Sequence, residues 1–262
     1  MGHHGQMHAH PGLGSLPDTP VESGTELAHE EDSRRGYLPS TSFRSRRSAL
    51  SPAQRDLWER LWPRLGRQAH DEGNTPPLDS RAWFGREAPL VLEIGCGNGA
   101  STLAMAQAEP DIDVIAVEIY RRGLAQLLAG IDSAGVSNIR LIRGNAVDVL
   151  RDLLAPRSLT GVRVFFPDPW PKARHHKRRL LQPATVAMIA DRLLPGGVLH
   201  AATDHSGYAE HIAQTGDAEP QLVRVDPRRD ALPISVVRPV TKYETKAGHE
   251  GRTVAELIWK RR

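Results

Sequence analysis

From residue 89 onward, short apolar runs alternate with amphipathic segments, and this alternation predicts strand, helix, strand, helix. The runs at 90–94, 114–117, 139–143, 162–166 and 198–202 read as strands. Segments 102–108, 122–133, 147–154, 183–194 and 208–214 read as helices, with Pro110 and Pro195-Gly196-Gly197 as stops. Such a repeat predicts an α/β domain, a mostly parallel sheet with helices on both faces. Residues 222–225 and 252–260 are strand-like with no good helix between them, so the sheet is expected to end in an antiparallel edge hairpin, seven strands in all.

Upstream, Ser51-Pro52 opens a helix with serine as cap and proline at the first helical position. Leu57, Trp58, Leu61 and Trp62 recur at helical spacing and read as packing residues, and Pro63 ends the helix. Residues 66–87 read as an irregular linker, and Phe43-Arg44-Ser45-Arg46-Arg47 as a basic arm. Residues 1–40 are rich in Gly, Pro, Ser, His and acid without sustained periodicity, and read as a disordered extension. The expected division is therefore extension 1–40, arm with helix and linker 41–87, and α/β domain 88–262.

Charge adds a partner to this picture. The net charge of +3 is modest, but the cations cluster at 44–47, 172–179, 224–229 and 260–262, the footprint of an anionic partner such as nucleic acid. A single cysteine, Cys96, excludes an internal disulfide and makes a thiolate zinc site a poor reading, which suits a reducing cytoplasm. No apolar run approaches a membrane span, and residues 1–40 hold no apolar signal segment. His3, His4, His8 and His10 read as a feature of the tail's composition, and no metal is expected.

Two motifs carry the chemistry. Leu92-Glu93-Ile94-Gly95-Cys96-Gly97-Asn98-Gly99 runs a strand into a glycine-rich turn before a helix. Gly95, Gly97 and Ala100 satisfy the dinucleotide pattern, with Glu118 about 20 residues on, so the loop alone fits a nicotinamide, a flavin or S-adenosylmethionine. Glu93 tips the balance, because a carboxylate there suits a cationic amino-acid moiety and not a pyrophosphate, and Gly99 completes the methyltransferase form. Glu118 is placed to hold ribose hydroxyls, and Cys96 reads as a small filler. Asn145 ends the third strand, where it can read an adenine edge, cap the next helix, or do both.

The second motif is Phe165-Phe166-Pro167-Asp168-Pro169-Trp170-Pro171-Lys172-Ala173-Arg174-His175-His176-Lys177-Arg178-Arg179. Its prolines require a rigid loop at a strand end. That loop sets one carboxylate, Asp168, beside five cations, as a working acid next to a polyanion would require.

With these residues in view, the chain resembles the bacterial tRNA (guanine-N7)-methyltransferase family, class I and S-adenosylmethionine-dependent. The resemblance spans residue 42 to the end and rests on the glycine loop, Val117-Glu118, Asn145-Ala146-Val147 and residues 165–179. It extends to Ala202-Thr203-Asp204-His205, Tyr208-Ala209 and Thr241-Lys242-Tyr243-Glu244. It implies a doubly wound Rossmann-like methyltransferase fold and methyl transfer from S-adenosyl-L-methionine to N7 of a guanine in the tRNA variable loop. It implies that Glu93, Gly95, Gly97, Gly99, Glu118, Asn145, Ala146 and Asp168 line the donor site. It further implies that Lys172, Asp204, Thr241, Lys242, Tyr243 and Glu244 face the guanine. Position 145 departs from the family, which often has Asp there; Asn keeps a carbonyl acceptor but loses the charge.

Guanine N7 carries a lone pair and no proton, so transfer needs alignment and electrostatic support more than a base. Asp168 is the expected catalytic group, and Arg174, Lys177, Arg178 and Arg179 the expected contacts to RNA backbone. Partners beyond tRNA, whether a membrane or an obligate protein, are not expected. Two other readings are a non-catalytic RNA-binding module and a Rossmann methyltransferase with a different acceptor.

Overall fold

The computed structural model describes residues 1–2, 49–70, 77–240 and 253–262. The first helix, α1 (Pro52–Leu65), begins as its sequence predicts: Ser51 Oγ accepts from Gln54 N–H at 3.2 Å, and Gln54 Oε1 accepts from Ser51 N–H at 3.1 Å. It runs through Pro63 to Leu65 instead of stopping there. Pro63 lies exposed in the last turn, two residues before the helix ends. Trp58, Leu61 and Leu65 are buried, and the Trp58 and Trp62 rings stack at 4.1 Å, as packing residues do.

The described residues of 66–87 include regular structure where an irregular linker was expected. Gly66–Gln68 forms strand β1, and Ser80–Phe84 forms a short helix, α2, capped by Asp79. The remaining strands are β2 (Leu90–Ile94), β3 (Asp113–Glu118), β4 (Ile139–Arg143), β5 (Leu159–Phe165), β6 (Leu193–Thr203), β7 (Leu222–Arg224) and β8 (Ala255–Arg261). They form one eight-stranded sheet in the order β1-β4-β3-β2-β5-β6-β8-β7. The expected seven strands are present, with β1 as the eighth on the far edge. The first six run parallel to one another; β8 runs antiparallel to both β6 and β7. The terminal pair is thus an edge hairpin in which the later strand lies inside.

Helices α3 (Ala100–Ala108), α4 (Arg121–Ala134), α5 (Ala146–Asp148), α6 (Pro183–Arg192) and α7 (Ser206–Ala218) complete the fold. One apolar cluster joins Leu92, Ile94, Ile115 and Val164 to side chains of α6 and α7. The other joins Val91, Val114, Ala116 and Leu141 to side chains of α1 and α4. The sheet is therefore covered on both faces, as its near-continuous apolar strands require. No helix among the described residues is long and apolar enough to cross a membrane.

Candidate active site

The strand order reverses between β2 and β5, the point beyond whose carboxyl ends open α/β sheets bind their ligands. Glu93, Glu118, Asn145, Asp168 and Asp204 lie at or just past the carboxyl ends of β2, β3, β4, β5 and β6 respectively. The glycine turn sits in the same row. Gly95, Gly97 and Gly99 have φ of 74°, 58° and 76°, a region other residues rarely enter. Nothing lies within 4 Å of where a Cβ would stand on Gly95 or Gly97, so that surface is an open cradle. Below it the packing is tight: a Cβ on Gly123, in α4, would stand 2.1 Å from the carbonyl oxygen of Gly97. Gly123 belongs to the site and was not singled out in the sequence, since a helical glycine carries no local signal of close approach.

Glu118 organises this turn. One carboxylate oxygen accepts from Gly97 N–H at 2.9 Å, and the other from Ile119 N–H at 2.7 Å and Tyr120 N–H at 3.0 Å. Burial pushes its carboxyl above the usual range; these hydrogen bonds pull the other way, and the charge of Asp168 adds to the rise. Asp168 is therefore within electrostatic reach of Glu118, while its own side chain is exposed. Asn145 Oδ1 accepts from Val147 N–H at 3.0 Å and so caps α5, as one of its two readings predicts. Buried Ala146 follows it.

Glu93 differs from the others. It is 2% exposed, and its Oε2 is buried with no hydrogen-bond partner. Burial raises its pKa to about 7, against the opposing charge of Arg163. Arg163 is its register partner on β5, fully buried and paired with Glu109 at 2.5 Å. Its signal in the sequence is a lone cation between Val162 and Val164 in an apolar strand. An orphaned carboxylate oxygen below an open glycine cradle fits a ligand that brings a cationic group. Cys96 is buried, and burial with Glu118 and Glu93 nearby pushes its thiol well above the usual range, so it is a neutral filler and no nucleophile.

The loop after β5 is rigid, and strained at both ends. Phe166 has φ of 51° and Trp170 of 42°, bracketing Pro167-Asp168-Pro169. A non-glycine residue held in that region costs about 1–3 kcal/mol and persists only where its surroundings impose it. Phe166 N–H donates to Ala202 O at 2.8 Å. Arg179 holds the other side: its Nε donates to Pro169 O at 2.9 Å, its Nη1 to Gly207 O at 3.2 Å, and its guanidinium lies 4.8 Å from the Tyr208 ring centroid. Arg179 is 2% exposed. It is a loop tie and not a surface cation, which corrects the expectation that it meets RNA backbone. Lys172, Arg174 and Lys177 are exposed, on or beside a 3₁₀ turn at Ala173–Arg178. Arg178 is half-buried, 5.0 Å over the Trp170 ring, whose edge contact with His175 packs the indole into the loop. Thr241, Lys242, Tyr243 and Glu244 lie outside the described residues, as does the basic arm at 43–47.

Residues 87–257 match a family model described as "Putative methyltransferase". A protein named tRNA (guanine-N(7)-)-methyltransferase from Mycobacterium ulcerans (strain Agy99) is 66% identical over 276 residues, covering 100% of this chain and 99% of its own. One of the same name from Mycobacterium tuberculosis (strain ATCC 25618 / H37Rv) is 68% identical, covering 100% of this chain and 96% of its own. Among solved structures, the 16S rRNA methyltransferase KamB aligns at a TM-score of 0.46 and 16% identity, over 71% of this chain and 95% of that one. With a cradle, an acidic crest and full-length relatives in agreement, the chain belongs to the tRNA (guanine-N7)-methyltransferase family.

Proposed function

We propose that this protein transfers a methyl group from S-adenosyl-L-methionine to N7 of a guanine in the variable loop of tRNA, in a cytoplasmic setting. The observation that carries the reading is the buried Glu93 carboxylate, whose Oε2 has no hydrogen-bond partner, two residues before the open Gly95–Gly97 turn, with Asp168 exposed on its proline-framed loop. The donor supplies an electrophilic methyl on a sulfonium that departs as a neutral thioether. Glu93 faces the donor's cationic amino-acid end. Glu118 takes the ribose hydroxyls on the lone pairs its three backbone bonds leave open, and Asn145 with Ala146 borders the adenine.

N7 attacks without losing a proton, so positive charge moves onto the base. Asp168, the catalytic residue of this reading, stabilises that charge from a loop that cannot recoil. Asp204, at the end of β6, accepts from the guanine edge together with residues 241–244. Lys172, Arg174 and Lys177, with Arg178 behind them, meet the phosphates and set register without choosing the base.

The test is mass spectrometry of nucleosides from tRNA incubated with protein and donor. The expected product is 7-methylguanosine, with Asp168→Asn slower by about 10²–10³-fold and melting at nearly the same temperature. Methylation of an exocyclic amine, or donor binding without transfer, overturns the reading.

A further inference from the structure

The chain after β7 returns across the sheet face that holds Glu93 and Arg163, and it is pinned there at three places. Val225 N–H donates to Ile258 O at 3.0 Å. Ile234 is buried against Gly161, and Ser235 binds both members of a buried ion pair: its N–H donates to Glu109 at 2.7 Å, and its carbonyl accepts from Arg163 at 3.1 Å. Arg238 makes the third anchor. Its side chain is 4% exposed, although Val237 and Val240 on either side are 82% and 77% exposed. Burying a cation costs desolvation, which its partners here must offset.

The contacts show what it holds. The guanidinium lies 5.5 Å from the Phe165 ring centroid and 5.1 Å from that of Phe166, and its Nη2 donates to Glu256 Oε1 at 2.7 Å. The other oxygen of Glu256 lies 3.0 Å from Nε2 of the fully buried His200, which donates because a carboxylate only accepts. The His200 ring in turn meets Phe165 edge-on at 4.9 Å. These groups enclose Phe165-Phe166, the step where β5 ends and the backbone turns into the left-handed region two residues before Asp168. Three residues after Arg238, the chain enters Thr241-Lys242-Tyr243-Glu244.

We propose that Arg238 is a positioning residue for methyl transfer: its guanidinium, anchored on Glu256, packs over Phe165 and Phe166 and so holds the turn that carries Asp168. This rests on the reading of Asp168 as the group nearest the transfer. These contacts lie at the end of β5 and not in the glycine turn, so the clamp acts on turnover and leaves donor binding alone.

The test compares Arg238→Ala, Arg238→Lys and Glu256→Gln with the parent protein, in tRNA methylation, donor calorimetry and thermal melts, at a temperature well below every melting point. Arg238→Ala is expected to lower kcat by about 10- to 100-fold, the scale of a misplacement near 1 Å, with unchanged donor affinity. Lysine keeps a cation over the rings and is expected to recover much of that loss. Glu256→Gln removes the ion pair and leaves one acceptor oxygen for the two donors, Arg238 and His200, and is expected to fall between. Wild-type kcat in Arg238→Ala, or a lysine variant as slow as the alanine one, overturns the clamp. Asp168→Asn is run beside them: an inactive Asn variant with a fully active Arg238→Ala sinks this inference alone, while an active Asn variant sinks the underlying reading.

Discussion

Replacing Glu93 with glutamine should stabilise this protein at pH 8 and do progressively less towards pH 5. The carboxyl is buried and its folded pKa is raised from the usual 4.5 to about 7. Below about pH 4.5 both folded and unfolded chains hold the proton, and burial costs nothing extra. As pH rises from there to about 7, the unfolded chain releases its proton while the folded chain retains it, so stability falls. At about 1.4 kcal/mol per pH unit, the loss reaches about 3 kcal/mol once pH passes 7. Glutamine does not titrate and escapes this loss. For a chain of this size, about 2–4 °C per kcal/mol converts the effect to roughly 6–12 °C of extra melting temperature at pH 8 relative to the acid end. Differential scanning calorimetry of both proteins across pH 5–8 measures it. The same carboxylate should ionise when a cationic donor lands on it, so donor binding below pH 7 should release a proton, visible as a dependence of calorimetric enthalpy on the buffer's ionisation enthalpy. A melting-temperature gap that stays constant across the range would refute the argument, and with it the buried, protonated state of Glu93.

Gly123→Ala should abolish donor binding while the protein still folds, because its Cβ meets the Gly97 carbonyl and must push the cradle aside; circular dichroism with calorimetry separates the two effects. Glu118→Ala should weaken donor binding by about 1–3 kcal/mol or more, since it unpairs ribose hydroxyls and also frees three loop N–H groups. Charge reversal at Lys172 and Lys177 should raise the KM for tRNA and flatten its log–log salt dependence by roughly 0.7–0.9 per lost phosphate contact; an unchanged slope would make them a plain solvated face. Arg179→Ala should behave differently from those two, lowering kcat and melting temperature without moving the salt slope, since its guanidinium binds Pro169 O and Gly207 O.

Much of the fold was legible because a parallel sheet covered on both faces writes its strands as apolar runs, and β2 to β6 all do so. β1 could not be read that way: Gly66-Arg67-Gln68 has no apolar residue, and its pairing with β4 makes it a strand. The turn at the end of β2 was legible as well: the glycines at 95, 97 and 99 take the positive φ expected of them, and Glu118 binds the Gly97 N–H. What charge does inside a fold was harder to see. Arg179 stands in a run of cations that otherwise reads as solvated surface, yet its neighbour Arg178 lies over Trp170 and its own side chain turns under the loop. Arg163, Arg238 and His200 meet Glu93 or the Phe165 step only through register and long-range contacts, which no local pattern records.

The loop between Phe166 and Trp170 bears on where the entropy of catalysis is spent. Two prolines and two left-handed residues leave Asp168 almost no alternative backbone states. Ordering a backbone residue costs roughly 1–2 kcal/mol, and a flexible loop would meet that cost each time a guanine arrived. Here the folding equilibrium absorbs it once, ahead of any substrate. The activation entropy of methyl transfer should therefore reflect the motion of tRNA and donor alone, with the protein's own loop contributing almost nothing.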